Sequence, residues 1–302
     1  MQTSKNNPTD YPNLLQLTSL HPIEFMRLLS VFDPLCQDYF QYHTLEGKPR
    51  RIPKFEEDAR CSLPGSAQKL LFVLSYLKEN PRQHYHGRFF AMQQPRVSKW
   101  LKLLLPLLET ALQRLKAVPK RFGAALYVFL KTFTHYVLLM DATERRIPRS
   151  VCYERQKHYY SGKKKTHTVK NNLVIDQQHQ ILFLSSTYPG SVHDKILADE
   201  VGHRYPDHTV LVKDLGYQGY EPDNISVLRP HKKPKGKELS ESQKQDNADI
   251  SRIRVPAEHV MAGVKRLNIV KEKMRLRIEK VRDRVMLIAC GLHNFRTTAR
   301  AA

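Results

Sequence analysis

Three carboxylates stand out by the residues around them: Asp141, Asp214 and Glu258. Asp141 closes the apolar run Tyr136-Val137-Leu138-Leu139-Met140, and Asp214 follows Thr209-Val210-Leu211-Val212-Lys213. Short runs of this kind predict strands buried on both faces. An acid at the end of such a strand is expected at the sheet rim, where a ligand or metal reaches it. Glu258 sits in a helix-patterned stretch where Arg254, Glu258, Ala262 and Lys265 share one face. Two cations flanking an acid orient it and can touch a backbone phosphate; an exposed ion-paired helix face has the same pattern. Three acids that converge repel one another and need a cation between them. Oxygen-only ligands select hard ions, so the expected cofactor is Mg²⁺ or Mn²⁺. Two such ions roughly 4 Å apart would activate a water or a 3′-hydroxyl and stabilise the leaving oxygen of a phosphodiester.

The elements that must bring the acids together follow in order. Asn171 to Asp176 reads as a second strand, Ile181 to Ser185 as a third paired back on it, and Ile225 to Leu228 as a fifth. Pro189-Gly190-Ser191-Val192-His193-Asp194 turns into a helix over Lys195 to Val201, with Asp194 favourable to its dipole. Ser240 and Gln243 form a capping-box pattern for a helix toward Arg252, and Pro256 fits a first turn or a kink before Glu258. The order β-β-β-α-β, with acids on the first and fourth strands and on a late helix, describes an α/β fold. Its expected form is an RNase H-like core: a mixed five-stranded sheet with helices, three strands in an antiparallel meander and the fourth parallel to the first. Met274, Ile278, Val281, Val285, Ile288, Leu292 and Phe295 predict one long closing helix, packed on the core or on a partner. Lys163, Lys164 and Lys165 form a basic loop, suited to phosphates beside a carboxylate rim or simply solvated.

The N-terminal third reads as helices. Two short ones are expected between Pro22 and Tyr39, the second starting at Pro34, and a basic linker follows over Gly47 to Lys54. A helix capped by Ser66 ends at Asn80-Pro81, a shorter one spans Tyr85 to Met92, and a third opens at Arg96. Three helices with a short break before the last is the pattern of a helix-turn-helix. The last would present Arg96, Ser98, Lys99 and Lys102 to a DNA groove; a plain helical bundle has the same leucine spacing.

Composition narrows the partner. The 302 residues carry 50 Lys and Arg against 29 Asp and Glu, a formal charge of +21 that favours a polyanion. A hydrophobic share of 41% marks a globular chain rather than a disordered one. No run reaches the length a spanning helix needs, and Met1 to Asp10 lacks the apolar stretch of a secretory signal, so a cytoplasmic, nucleoid-associated bacterial location is expected. Cys36, Cys61, Cys152 and Cys290 are too scattered for a zinc site or a disulfide framework, and are expected reduced and structural.

The blocks Met140-Asp141-Ala142-Thr143, Pro189 to Asp194, Lys213-Asp214-Leu215-Gly216-Tyr217-Gln218-Gly219 and Arg254-Val255-Pro256-Ala257-Glu258-His259-Val260 together resemble DDE transposases. The nearest group is that of bacterial insertion sequences related to Harbinger elements, and the resemblance runs over roughly residues 60 to 298. It implies that Asp141, Asp214 and Glu258 are the metal-binding catalytic triad and that Lys265 is a basic position common in the superfamily. It also implies hydrolytic nicking at the ends of a mobile element, attack of the freed 3′-hydroxyl on target DNA, and a homo-oligomer on DNA. Ala142, where relatives often have glycine, and Pro256, close to the catalytic acid, depart from the pattern without removing a carboxylate. The expected domains are 1–55 (N-terminal helices and linker), 56–125 (helix-turn-helix) and 126–300 (catalytic). An RNase H-like endonuclease without strand transfer, or a non-catalytic domesticated DNA-binding protein, are the alternatives.

Overall fold

The computed structural model describes residues 13–132, 136–234, 236 and 238–301. The polar stretch Met1 to Asp10, and Lys235 and Lys237 of the basic stretch expected as a loop over Pro230 to Lys237, lie outside the described residues. The chain divides into two compact units. The first comprises 1–118, 265–272 and 284–302, the second 119–264 and 273–283. The stretch 126–300 therefore does not stay together: its last helix crosses from the second unit into the first.

Among the described residues, the named elements of the first unit are all helices. This unit contains α1 (Leu14–Thr18), α2 (Pro22–Tyr42), α3 (Gly65–Glu79), α4 (Gln83–Phe89), α5 (Gln94–Arg114), α10 (Asn268–Lys271) and most of α11 (Glu279–Ala301). The expected break at Pro34 is absent: α2 is continuous, with Pro34 inside it. A proline removes one helix hydrogen bond; here the buried face of Phe25, Leu28, Phe32 and Leu35 holds the helix on both sides of that gap. Ser66 does not cap α3. The helix begins at Gly65, whose φ of +70° favours glycine and whose N–H donates to Glu57 Oε2 at 2.6 Å. Four residues join α4 to α5, and the joint needs Gly87: a Cβ there would lie 2.3 Å from the Met92 carbonyl oxygen. Val97, Leu101, Leu104, Leu108 and Leu112 bury one face of α5, and Pro106 lies inside it.

The second unit is built on a mixed sheet. Strand β1 (Tyr136–Arg146) pairs antiparallel with β3 (Thr166–Ile175) and parallel with β6 (Thr209–Lys213), and β6 pairs parallel with β7 (Ser226–Leu228). Along the other edge of β3 lie β4 (Ile181–Leu184) and the two-residue strands β2 (Tyr160–Ser161) and β5 (Tyr188–Pro189), which makes seven strands among the described residues where five were expected. The parallel β1–β6 crossover includes α8 (Asp194–Val201). One face of the sheet is filled by Leu138, Met140, Val174, Phe183 and Leu211 with Leu126 and Leu130 of α6 (Gly123–Leu130), Ala198 of α8, and Tyr217. The helix α9 (Glu241–Val264) packs on β1 and β6. Its start is the expected capping box: Gln243 N–H donates to Ser240 Oγ at 3.2 Å and Ser240 N–H to Gln243 Oε1 at 3.1 Å. Pro256 neither starts nor breaks it; the helix runs through.

The closing stripe is shorter than its spacing implied. Met274 and Ile278 precede α11, which starts at Glu279; Met274 is tied to the sheet unit by its N–H to the Arg146 carbonyl at 2.9 Å. All four cysteines are free, but Cys152 is exposed and so is not a core residue. Among the described residues, no helix is long and apolar enough to cross a membrane.

Candidate active site

The strand register brings two of the three acids side by side. Met140 pairs with Lys213 in the last parallel step between β1 and β6, so Asp141 and Asp214 are the next residues on adjacent strands. Asp141 is not at a strand end: β1 continues five residues further against β3, and only its β6 partner stops. Apolar residues before Asp141 serve the interior, and those after it serve a β1–β3 ribbon that projects past the parallel part of the sheet. The sheet rim is thus a step in the sheet rather than the end of β1.

At the step β6 gives way to a 3₁₀ turn, Leu215–Tyr217, with Asp214 as its N-cap. Asp214 Oδ1 accepts from Leu215 N–H at 2.8 Å and from Arg254 Nη1 of α9 at 3.2 Å. Asp141 is half-buried, and its carboxyl titrates above the ordinary aspartate range. Burial is the main cause; the nearby charges of Asp214 and Asp194 add to it, while the Ala142 N–H and Arg254 oppose it.

Glu258 lies one helical turn beyond Arg254, roughly 6 Å along the same face of α9. It is exposed and makes no hydrogen bond or ion pair among the described residues. Among those residues, no group of three or more His, Cys, Asp or Glu is disposed to hold a metal. The structure therefore joins Asp141 and Asp214, sets Arg254 on the pair, and leaves Glu258 one turn away with its side chain in solvent. Lys265 is not on the Glu258 helix; it is exposed in the turn after α9 and belongs to the first unit.

Behind the step lies a buried charge cluster that sequence reasoning did not find. Lys170 Nζ of β3 sits 3.0 Å from Asp194 Oδ1 and 3.6 Å from Glu144 Oε1, and Glu144 also accepts from Thr168 Oγ1 at 2.9 Å. Glu144 is the direct register partner of Lys170. Asp194 packs against the turn after Asp214, so closely that a Cβ on Gly216 would lie 2.8 Å from Asp194 Oδ2. Tyr217 of the same turn is buried and donates from its hydroxyl to Asn172 Oδ1 at 2.8 Å, while Asn172 Nδ2 has no partner among the described residues. Its phenol titrates well above the usual range because of burial and the nearby carboxylates of Asp194, Asp141 and Asp214. Lys213, fully buried just before Asp214, donates to the Tyr220 carbonyl and so closes the turn from below. The signal for this cluster was on the page: Lys170 and Asn172 alternate with buried residues in a strand, where charged and amide side chains need partners.

The remaining candidates are on the surface. Lys163, Lys164 and Lys165 are exposed at the tip of the β2–β3 hairpin. They lie in the turn before Thr166, the first residue of β3, which is seven residues or roughly 23 Å along the strand from Leu173, the partner of Asp141, and so do not lie beside the acids. In the first unit, Arg96, Lys99 and Lys102 are exposed on the first turns of α5 and Ser98 is half-buried. Lys99 is already paired with Glu46 at 2.8 Å.

Residues 140–294 match the DDE superfamily endonuclease family. A probable transposase for insertion sequence element IS702 of Microchaete diplosiphon is 34% identical over 165 residues, which is 55% of this chain and 59% of that protein. The chain thus spans less than two thirds of that relative's length. No solved structure matches. The family match covers just over half of the chain and contains Asp141, the β6 turn and the whole of α9 together, and on that ground the chain belongs to the DDE superfamily endonucleases.

Proposed function

We propose that the chain is the transposase of a mobile element, which nicks DNA at the element's ends and joins the freed 3′-hydroxyls to target DNA. The observation that carries this reading is the step at which Asp141 and Asp214 end up adjacent, with Arg254 beside them and Glu258 on the next turn of α9. The strand order β4-β3-β1-β6-β7, antiparallel up to β1 and parallel beyond it, supports an RNase H-like core.

The donor set fits a hard divalent cation: two adjacent carboxylates, a third on α9 one helical turn beyond the Arg254 that contacts Asp214, and a half-buried Asp141 whose charge its surroundings disfavour. Asp141, Asp214 and Glu258 would hold Mg²⁺ or Mn²⁺, two ions in all. Bound there, the metal supplies an activated water or 3′-hydroxyl and charge stabilisation at the leaving oxygen. The chain's own residues do the rest. Arg254 neutralises Asp214 while the site is empty of substrate and offers its second guanidinium nitrogen to a phosphate. The 3₁₀ turn, held by Tyr217 and Asn172 on one side and Lys213 on the other, keeps Asp214 from withdrawing.

In the first unit, α3, α4 and α5 support a helix-turn-helix, with Arg96, Ser98, Lys99 and Lys102 turned to the terminal inverted repeats. The charge of +21 supports DNA as the partner. A homo-oligomer that holds two element ends completes the reading. The test is incubation of a labelled element-end duplex with Mg²⁺ or Mn²⁺ and target DNA. Metal-dependent nicks and joined products, both abolished by Asp214→Ala, are expected; nicks without joined products would leave an endonuclease, and no nicks would remove the catalytic reading.

A further inference from the structure

The segment between β1 and β3, residues 146–165, projects from the step that carries the acids. It holds seven lysines and arginines and one acid, Glu154. None of the seven is in an ion pair among the described residues. At its centre is α7 (Tyr153–Tyr159), a seven-residue helix in which no residue is buried. So short a helix is not stable on its own, and it has no core to pack on. Polar contacts hold it instead. Gln156 accepts from Arg149 Nε at 2.8 Å and donates to the Ser150 carbonyl at 2.8 Å, Tyr159 donates to Glu279 at 2.8 Å, and Ser191 donates to the His158 carbonyl at 2.6 Å. The fold thus spends contacts on holding in place a helix that buries nothing and leaves Val151 100% and Tyr153 73% exposed among cations.

We propose that this arm grips the DNA strand that leaves the Asp141–Asp214 site, with Lys163 to Lys165 on backbone phosphates and Tyr153 stacked on a base. The inference rests on the reading of that site as the place of strand cleavage. An unpaired cation cluster fits phosphates, and an exposed aromatic ring between cations fits a base face, which is the pairing of features that single-stranded or opened DNA selects. The arm's position sets the distance. Its root, Arg146, lies five residues along β1 from Asp141, or roughly 17 Å; its tip, Lys165, lies eight residues along β3 from Leu173, or roughly 27 Å. At about 3.4 Å per nucleotide of one strand, the arm spans roughly five to eight nucleotides from the scissile phosphate, with the lysine contacts at the far end of that span.

The experiment uses the full chain on an element-end duplex whose nick position is first mapped with Mg²⁺. Hydroxyl-radical footprints and salt titrations are then recorded with Ca²⁺ in place of Mg²⁺. Wild type is expected to protect a patch five to eight nucleotides from the nick. Lys163→Gln/Lys164→Gln/Lys165→Gln should lose that protection and flatten the log affinity against log salt slope by about 2 to 3. Tyr153→Ala should weaken binding to a duplex with unpaired bases at that position roughly tenfold, and Tyr153→Phe should restore it. An unchanged footprint and slope in the triple variant, with wild type still nicking, would overturn the arm proposal and leave the site reading intact. A wild type that nicks nowhere would overturn both.

Discussion

Replacing Lys170 by Met tests whether the buried cluster behind the acids is a stabilising ion pair or an incidental contact. The Lys170 side chain is 6% exposed, and its partners Glu144 and Asp194 are 9% and 17% exposed. Methionine keeps most of the aliphatic volume and removes the charge, so two carboxylates remain buried with no cation between them. Removing one partner of a buried pair costs about 3 to 5 kcal/mol, because the charges left behind keep their desolvation penalty. For a unit of about 150 residues each kcal/mol lowers the midpoint by about 2 to 4 °C, so the second unit should melt roughly 6 to 20 °C lower. Thermal unfolding followed by circular dichroism at neutral pH reads this directly. The companion variant Lys170→Met/Glu144→Gln/Asp194→Asn carries no charge in the cluster and should recover most of the loss. A midpoint within about 2 °C of wild type for the single variant, or no recovery in the triple variant, would refute the reasoning.

Other consequences follow from the same geometry. Asp141→Asn should raise the melting temperature at pH 7 while removing activity. The folded carboxyl holds its proton to higher pH than the unfolded one, so its charge destabilises the fold at neutral pH, and the advantage of Asn should shrink as the pH falls through the raised folded value and be gone below the ordinary aspartate value. An Asn variant that melts lower at pH 7 would contradict this. His203 is buried and burial pulls its pKa down to about 4. The unfolded chain therefore takes up the proton first, and stability should fall by up to about 3 kcal/mol as the pH drops from about 6.5 towards 4. His203→Phe should flatten that decline in a pH series of denaturant melts. Gly190→Ala should destabilise by about 3 kcal/mol or more, or prevent folding, because its Cβ would lie 1.9 Å from Thr168 Oγ1 and 2.9 Å from the Thr168 carbonyl oxygen. A variant with wild-type stability would show that the Pro189–Gly190 turn is not packed on β3 as described.

The sheet was legible because short apolar runs are unambiguous: β1, β4 and β6 begin where their sequences say. Their ends were less so. Thr143, Arg145 and Lys170 are polar yet buried, so hydrophobicity alone stopped β1 at Met140 and started β3 at Asn171. Arg145, for example, is held by Asn171 Oδ1 at 2.6 Å and by the Arg282 carbonyl at 3.1 Å, contacts that depend on residues far away in sequence. Pro34 was read too strictly: it lies inside a helix whose buried face outweighs one lost hydrogen bond. Of the candidate acids, the adjacency of Asp141 and Asp214 could be read from the two strands, because parallel pairing of equal apolar runs sets them level. The position of the Glu258 side chain could not, since a helix face fixes direction around its axis but not the rotamer of an exposed residue. Asp194 looked like a helix-dipole acid, and only the fold reveals its ties to the site: its packing on the Gly216 turn, its pairing with Lys170 and its charge beside Asp141.

The most direct measurement is a Mn²⁺ titration followed by electron paramagnetic resonance on wild type, Asp141→Asn, Asp214→Asn and Glu258→Gln, each in complex with element-end DNA. The account predicts saturable binding by wild type that is lost or weakened at least tenfold in each of the three variants, in step with loss of nicking. Equal Mn²⁺ binding by wild type and by Asp141→Asn and Asp214→Asn would contradict it, because the adjacent acids at the step would then not be the metal-holding residues.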